Sequence, residues 1–175
     1  MEKKTINKLK PSFTQSINVA KQWCNDWEDE LLSDEVLADR IAELLKTQNG
    51  TRGFFAYALS DISCTLLDKK PFPLIFKLRE EGEKIVDIVV KNFIMSSAQV
   101  INHQREQNTS YEAISSNISD RCIDLLRELD TKLVTSKIRE IIRNLDNMGN
   151  SFDHSINYDE EQKKFIKNRI NQISN

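Results

Sequence analysis

Only four glycines and three prolines occur among 175 residues. Sheets and barrels need frequent chain reversals, which these residues supply, so their scarcity argues for helices. Histidine is scarcer, with His103 and His154 alone. Neither has an acid three positions before it, which excludes the paired Glu-x-x-His motifs of a di-iron bundle. Cys24, Cys64 and Cys122 are odd in number and form no CxxC, so neither a zinc site nor a disulfide framework can be read from their spacing. The glycines are isolated, leaving no phosphate-cradling loop and no GxSxG elbow. No cofactor or metal is expected. A strong charge of one sign is also lacking: the net charge is −2 and the pI about 5.8. Nucleic-acid binding as a main activity needs a basic surface and is therefore not expected. No uninterrupted apolar run approaches about 18 residues, so no membrane span is expected. The opening MEKKTINKLKPSF carries no apolar stretch of the secretory kind. Scattered thiols fit a reducing compartment, so a cytoplasmic location is expected.

What is present is an apolar pattern of helical period. The organising stretch is Glu83 to Arg105, EKIVDIVVKNFIMSSAQVINHQR. At about 100° per residue, Ile85, Val86, Val89, Val90, Phe93, Ile94, Val100 and Ile101 cover one broad arc. Ile88 and Met95 lie on the other side, and with His103 counted as neutral Lys91 is the only charge between Ile88 and Gln104. A helix apolar on so much of its circumference is enclosed on several sides. The expected fold is all-α: a single-domain bundle of about six to seven helices around the central buried helix 83–105. Residues 1–11 form a flexible basic leader, 12–150 the helical domain, and 151–175 a loop and a weakly amphipathic last helix.

Along the chain, Phe13, Ile17, Ala20, Cys24, Trp27 and Leu31 form the stripe of a first helix. Ser33 caps a second, with Asp34 and Glu35 in its first turn, and Asn49-Gly50 ends it. A third helix spans 53–67, and Pro71 and Pro73 then break the chain. A fourth starts near Pro73 and runs through Gly82 with a bend. Thr109 and Glu112 form a capping box for a fifth. Its apolar stripe ends at Leu133, and the next set, from Val134 to Leu145, is displaced by about 160°. This phase jump places a break between Asp130 and Ser136. Met148-Gly149-Asn150 ends the following helix.

Functional candidates are few. Asn92, Ser96, Gln99 and His103 recur at i, i+4, i+7 and i+11, one polar and nearly uncharged face on an apolar helix. With Arg52 they are the candidate ligand-binding residues; a structural alternative pairs Arg52 with Asp87. Cys64 and His103 are the residues a nucleophile pair would use. Residues 26–43 hold eight acids and one base, Arg40, either a solvated face or a docking surface for a basic partner. The leading expectation is a non-enzymatic regulatory or scaffolding protein acting through protein–protein contacts, as a homo-oligomer or within a complex. The alternative is a small-ligand-binding bundle, an enzyme included, that uses the polar face of helix 83–105.

Overall fold

A computed structural model describes residues 10–146 and 157–173. Among these the chain is helical and without strands: α1 (Phe13–Glu28), α2 (Asp34–Leu45), α3 (Gln48–Ser60), the single turn α4 (Leu66–Lys69), α5 (Phe72–Glu80), α6 (Glu83–Arg105), α7 (Thr109–Glu128), α8 (Thr131–Asp146) and α9 (Glu160–Ile170). The fold is the expected all-α bundle, with nine described helices where six to seven were expected. The leader's residues 1–9 and the helix end at Met148–Asn150 lie outside the described residues.

The helices pack as two groups around one core. α1, α2, α3 and α5 form one group, and α6 to α9 the other; α3 and α4 meet α7 between them. α6 has the limits its sequence predicts and supplies eleven buried residues, Val89 and Phe93 among them with no exposure. The shorter α3 buries a larger share of itself, eight of thirteen residues. By length and composition α6 could cross a membrane, although no uninterrupted apolar run foretold this; 61% of its most apolar window is buried inside the fold. Met95, on its outer side, is exposed.

Capping explains where several helices start. The Ser12 hydroxyl accepts from Gln15 N–H while the Gln15 side chain accepts from Ser12 N–H, a reciprocal box. Ser33 caps α2 as expected. The break between α7 and α8 is also as expected: Leu129 turns extended, and Asp130 Oδ1 accepts from Lys132 and Leu133 N–H at 2.9 and 3.0 Å. The phase jump is thus a change of helix.

Four boundaries differ from the sequence reading. Asn49-Gly50 does not end α2; Thr47 caps α3 through Gly50 N–H, so both residues sit in its first turn. The third helix stops at Ser60, and 61–65 is a connection in which Ile62 is exposed. The fourth is two helices, because Gly82 has φ +60°, a left-handed conformation that breaks helical continuity. The cap of α7 is Asn108, one residue before the expected Thr109. Of the apolar stripe assigned to the first helix, Phe13 and Leu31 are exposed.

α1 and α3 cross closely at Gly53. A Cβ placed there would lie 2.4 Å from Ser16 Cβ and 3.1 Å from Phe13 O. Gly53→Ala should therefore force the crossing apart and destabilise by about 1–3 kcal/mol. Urea unfolding would measure it, and unchanged stability would show that the crossing has slack.

α9 docks on α6 through buried Ile166 and Ile170 and through Gln162, whose Nε2 donates to Ala98 O and Asn102 Oδ1. At its start Arg105 binds Asp159 at 2.7 and 3.2 Å and also Glu161. The Arg105 guanidinium holds the Asp159 carboxyl down at about 2, below its ordinary 3.8. A depressed carboxyl supports the fold above its unfolded pKa and loses that support as pH falls through the folded one. The seat of α9 should loosen between about pH 4 and 2. NMR shifts of residues 160–170 followed over that range should move before those of α6; simultaneous loss would contradict this.

Candidate functional site

The polar face of α6 is where its spacing put it, but Asn92 and Ser96 turn back along their own helix. Asn92 Nδ2 donates to Ile88 O at 2.8 Å. The buried Ser96 hydroxyl reaches Asn92 O at 2.7 Å and Phe93 O at 3.1 Å. Gln99 is exposed, its Oε1 3.4 Å from Asn102 Nδ2. The His103 ring stacks on Tyr111 with centroids 5.5 Å apart, and its Nδ1 lies 3.6 Å from a Glu106 carboxylate oxygen. Arg52 is exposed on α3, with its guanidinium 5.3 Å from the Phe13 ring centre. Among the described residues no hydrogen bond or ion pair joins it to the four residues of α6. Asp87 pairs with Lys137 of α8 at 2.9 Å, not with Arg52. Cys64 and His103 are not in contact either; Cys64 meets Cys24 and Tyr57. Cys64 was expected within a helix and lies instead in the 61–65 connection.

The structure builds a different cluster, at the junction of the two groups. Its centre is Arg121 of α7, a cation only 4% exposed. Burying a charge is costly unless it is paired and hydrogen-bonded. Arg121 Nε and Nη2 donate to the two Asp68 oxygens at 3.0 and 2.8 Å. Nη1 donates to the carbonyls of Ala58, Leu59 and Asp61 at 3.3, 3.2 and 2.8 Å, and Nη2 to that of Cys64 at 2.7 Å. The last carbonyls of a helix have no partner within it. Arg121 therefore satisfies the end of α3, the connection after it, and α4 through Asp68.

Beside this clamp, α1 meets the same connection. Glu28 Oε1 accepts from Thr65 N–H at 3.3 Å and from its hydroxyl, and Glu28 Oε2 from Lys69 at 2.9 Å. Hydrogen bonding from Thr65, opposed by partial burial, lowers the Glu28 carboxyl. One turn earlier on that face, buried Cys24 hydrogen-bonds through its thiol to Cys64. The Cys64 sulfur also receives Leu66 N–H and the Tyr57 hydroxyl. These partners, Cys24 foremost, lower the Cys64 thiol against the opposing effect of burial, whereas the same contact and burial raise that of Cys24. Burial alone raises Cys122. Among the described residues no group of histidine, cysteine and carboxylate ligands is placed to hold a metal.

The sequence gives little sign of Arg121. Its signal was faint: on a wheel centred at Leu129 it lies about 80° from the middle of the apolar stripe. Its partner Asp68 is 53 residues away.

The fold and this cluster define an all-α bundle whose two helical groups are joined through a buried arginine. A family model described as "Uncharacterised conserved protein UCP020893" matches residues 12–173, and the chain belongs to that family. No curated protein and no solved structure matches the chain.

Removing Arg121 orphans the carbonyls of Ala58, Leu59 and Cys64, while that of Asp61 keeps the Cys64 N–H; Asp68 remains half exposed and can turn to water. Arg121→Met should cost about 3–5 kcal/mol through the carbonyls it leaves unpaired, and Asp68→Asn, which leaves the buried guanidinium its carbonyls but not its counter-charge, about 1–3 kcal/mol. Chemical denaturation of both variants measures the difference; equal losses would mean that the ion pair, not the carbonyl set, is what matters.

Proposed function

We propose that the chain is a non-enzymatic regulatory or scaffolding protein that works through protein–protein contacts, the first of them with a second copy of itself. One observation carries this reading: Phe72 and Phe76 of α5 are 72% and 49% exposed, although neither is needed to complete the core. Their ring centres are 6.5 Å apart. On the neighbouring α2 Val36 is exposed as well, and so is Leu31 just before it. Exposed large apolar groups held together on a rigid surface commonly mark contact sites. Aromatic rings bury much area at small entropic cost, which suits them to be anchors. The reading includes a reducing compartment, which three free cysteines support.

Sedimentation velocity across a micromolar concentration series is the test. The wild type should show a mass that rises with concentration. Phe72→Ser/Phe76→Ser should stay monomeric with an unchanged helical spectrum. A wild-type mass that stays monomeric to high micromolar would remove self-association from the reading.

A second reading keeps small-ligand binding but moves it away from the polar face of α6. A groove of about 840 Å³ lies against α8, lined by Lys132, Arg139 and Arg143, by the hydroxyls of Thr131, Thr135 and Ser136, and by Ile142. Cations and hydroxyls without an acid among them suit an anionic ligand. A thermal-shift series with inorganic phosphate and pyrophosphate addresses it, because a ligand of the native state raises the melting temperature.

A further inference from the structure

We propose that Cys24 and Cys64 form a reversible disulfide on reaction with a hydroperoxide, Cys64 as the attacking sulfur and Cys24 as the one that resolves it. The geometry has two independent parts. The thiols touch, and the elements that carry them are fastened at the next turn, where Glu28 holds Thr65. Positions 24 and 28 lie one above the other on α1, and Cys64 and Thr65 are neighbours in the chain. The two sulfurs therefore belong to one fixed contact between α1 and the 61–65 connection. Among the described residues the third cysteine, Cys122, is buried without such a partner, and the fold thus separates a matched pair from an isolated thiol.

The roles within the pair follow from their surroundings. Cys64 Sγ accepts from the Cys24 thiol, from Leu66 N–H and from the Tyr57 hydroxyl, with the Arg121 guanidinium close by. All four favour the thiolate, the form that attacks. Cys24 lies near the negative Glu28, which disfavours its thiolate. Cys64 also differs from Cys24 in its place in the chain. It lies outside any helix, between α3 and α4, in a stretch whose Ile62 is 82% exposed. Both sulfurs are covered in the closed fold, so reaction waits on a local opening of this connection.

In the first step the Cys64 thiolate attacks the terminal oxygen of the hydroperoxide. The O–O bond breaks, and the leaving alkoxide or hydroxide takes up a proton. Cys64 becomes a sulfenic acid, oxidised by two electrons, and the peroxide is reduced by two. In the second step Cys24 sulfur attacks Cys64 sulfur, the S–O bond breaks, and the hydroxyl leaves as water with the Cys24 proton. One disulfide, one water and one alcohol (or a second water) result. A small dithiol returns two electrons and two protons to restore both thiols. The bond links α1 to the α3–α4 connection and closes a loop that contains α2 and α3, so it constrains the unfolded chain.

Hydrogen peroxide on the full-length protein is the probe. Trypsin separates the three cysteines, since Lys21 and Arg40, Arg52 and Lys69, and Arg121 and Arg127 flank them. After a few equivalents of peroxide and alkylation under denaturing conditions, a Cys24–Cys64 linked peptide should dominate. Cys122 should be recovered alkylated, and a dithiol should reverse the change. The oxidised protein should melt higher than the reduced one. In Cys24→Ser the sulfenic acid should persist on Cys64 and be captured by dimedone; in Cys64→Ser the Cys24 thiol should stay unmodified. Three recovered thiols, random pairing with Cys122, or overoxidised Cys64 beside a free Cys24 would each overturn the proposal. Peptide mapping of the wild type decides this even if a serine variant does not fold.

Discussion

A buried guanidinium with six donated hydrogen bonds holds the two helical groups in register. Arg121 extends from α7 into the place where α3 has run out of helix, and it binds backbone there as well as side chain. A carbonyl cannot be moved without moving the chain, so this contact fixes a backbone path and not merely a side-chain pair. Asp68 adds the charge balance from the exposed side. The connection 61–65, the turn α4 and the contact with α1 all depend on that path. The thiol pair lies within it, which is why its two sulfurs face each other without a regular element beneath one of them.

Legibility in the sequence followed the range of the interaction. α6 could be read to its end residues because its apolar arc is long and uncrossed by charge. Ser33 and Asp130 could be read because a cap acts on backbone two or three residues away. Cys64 was misplaced because Ile62 and Leu66 continue the helical spacing of Phe55 and Leu59, while the force that ends α3 comes from Arg121 on another helix. Asn49-Gly50 was read as a stop signal, yet Thr47 turns it into a start. In each case the local pattern was genuine and a distant or competing partner decided the outcome.

The candidate site shows the same division. Periodicity put Asn92, Ser96, Gln99 and His103 on one face, but spacing does not say whether a polar group looks outward or down its own helix. Asn92 and Ser96 bond the backbone of the preceding turn, a habit of short polar side chains that satisfies them without a ligand. Arg52, grouped with them as a ligand-binding candidate, rests on Phe13 of its neighbour α1. The cluster that the fold does assemble draws on residues 24, 57, 64, 68 and 121, for which no sequence period exists.

One feature of α9 bears on how the protein responds to its solvent. Its apolar seat is narrow, with Ile166 and Ile170 as the deeply buried residues of the helix, and much of its attachment is ionic: Arg105 to Asp159 and Glu161, Lys167 to Asp146, and Arg169 to Asp120. Such pairs lie near the surface, where added electrolyte screens them over about 8–10 Å, whereas the contacts among α1, α3 and α7 are mostly apolar or deeply buried. Ionic strength therefore acts unevenly on this chain. A rise in salt slackens the last helix first and bares the side of α6 it covers, while the arginine-bound junction stays shut.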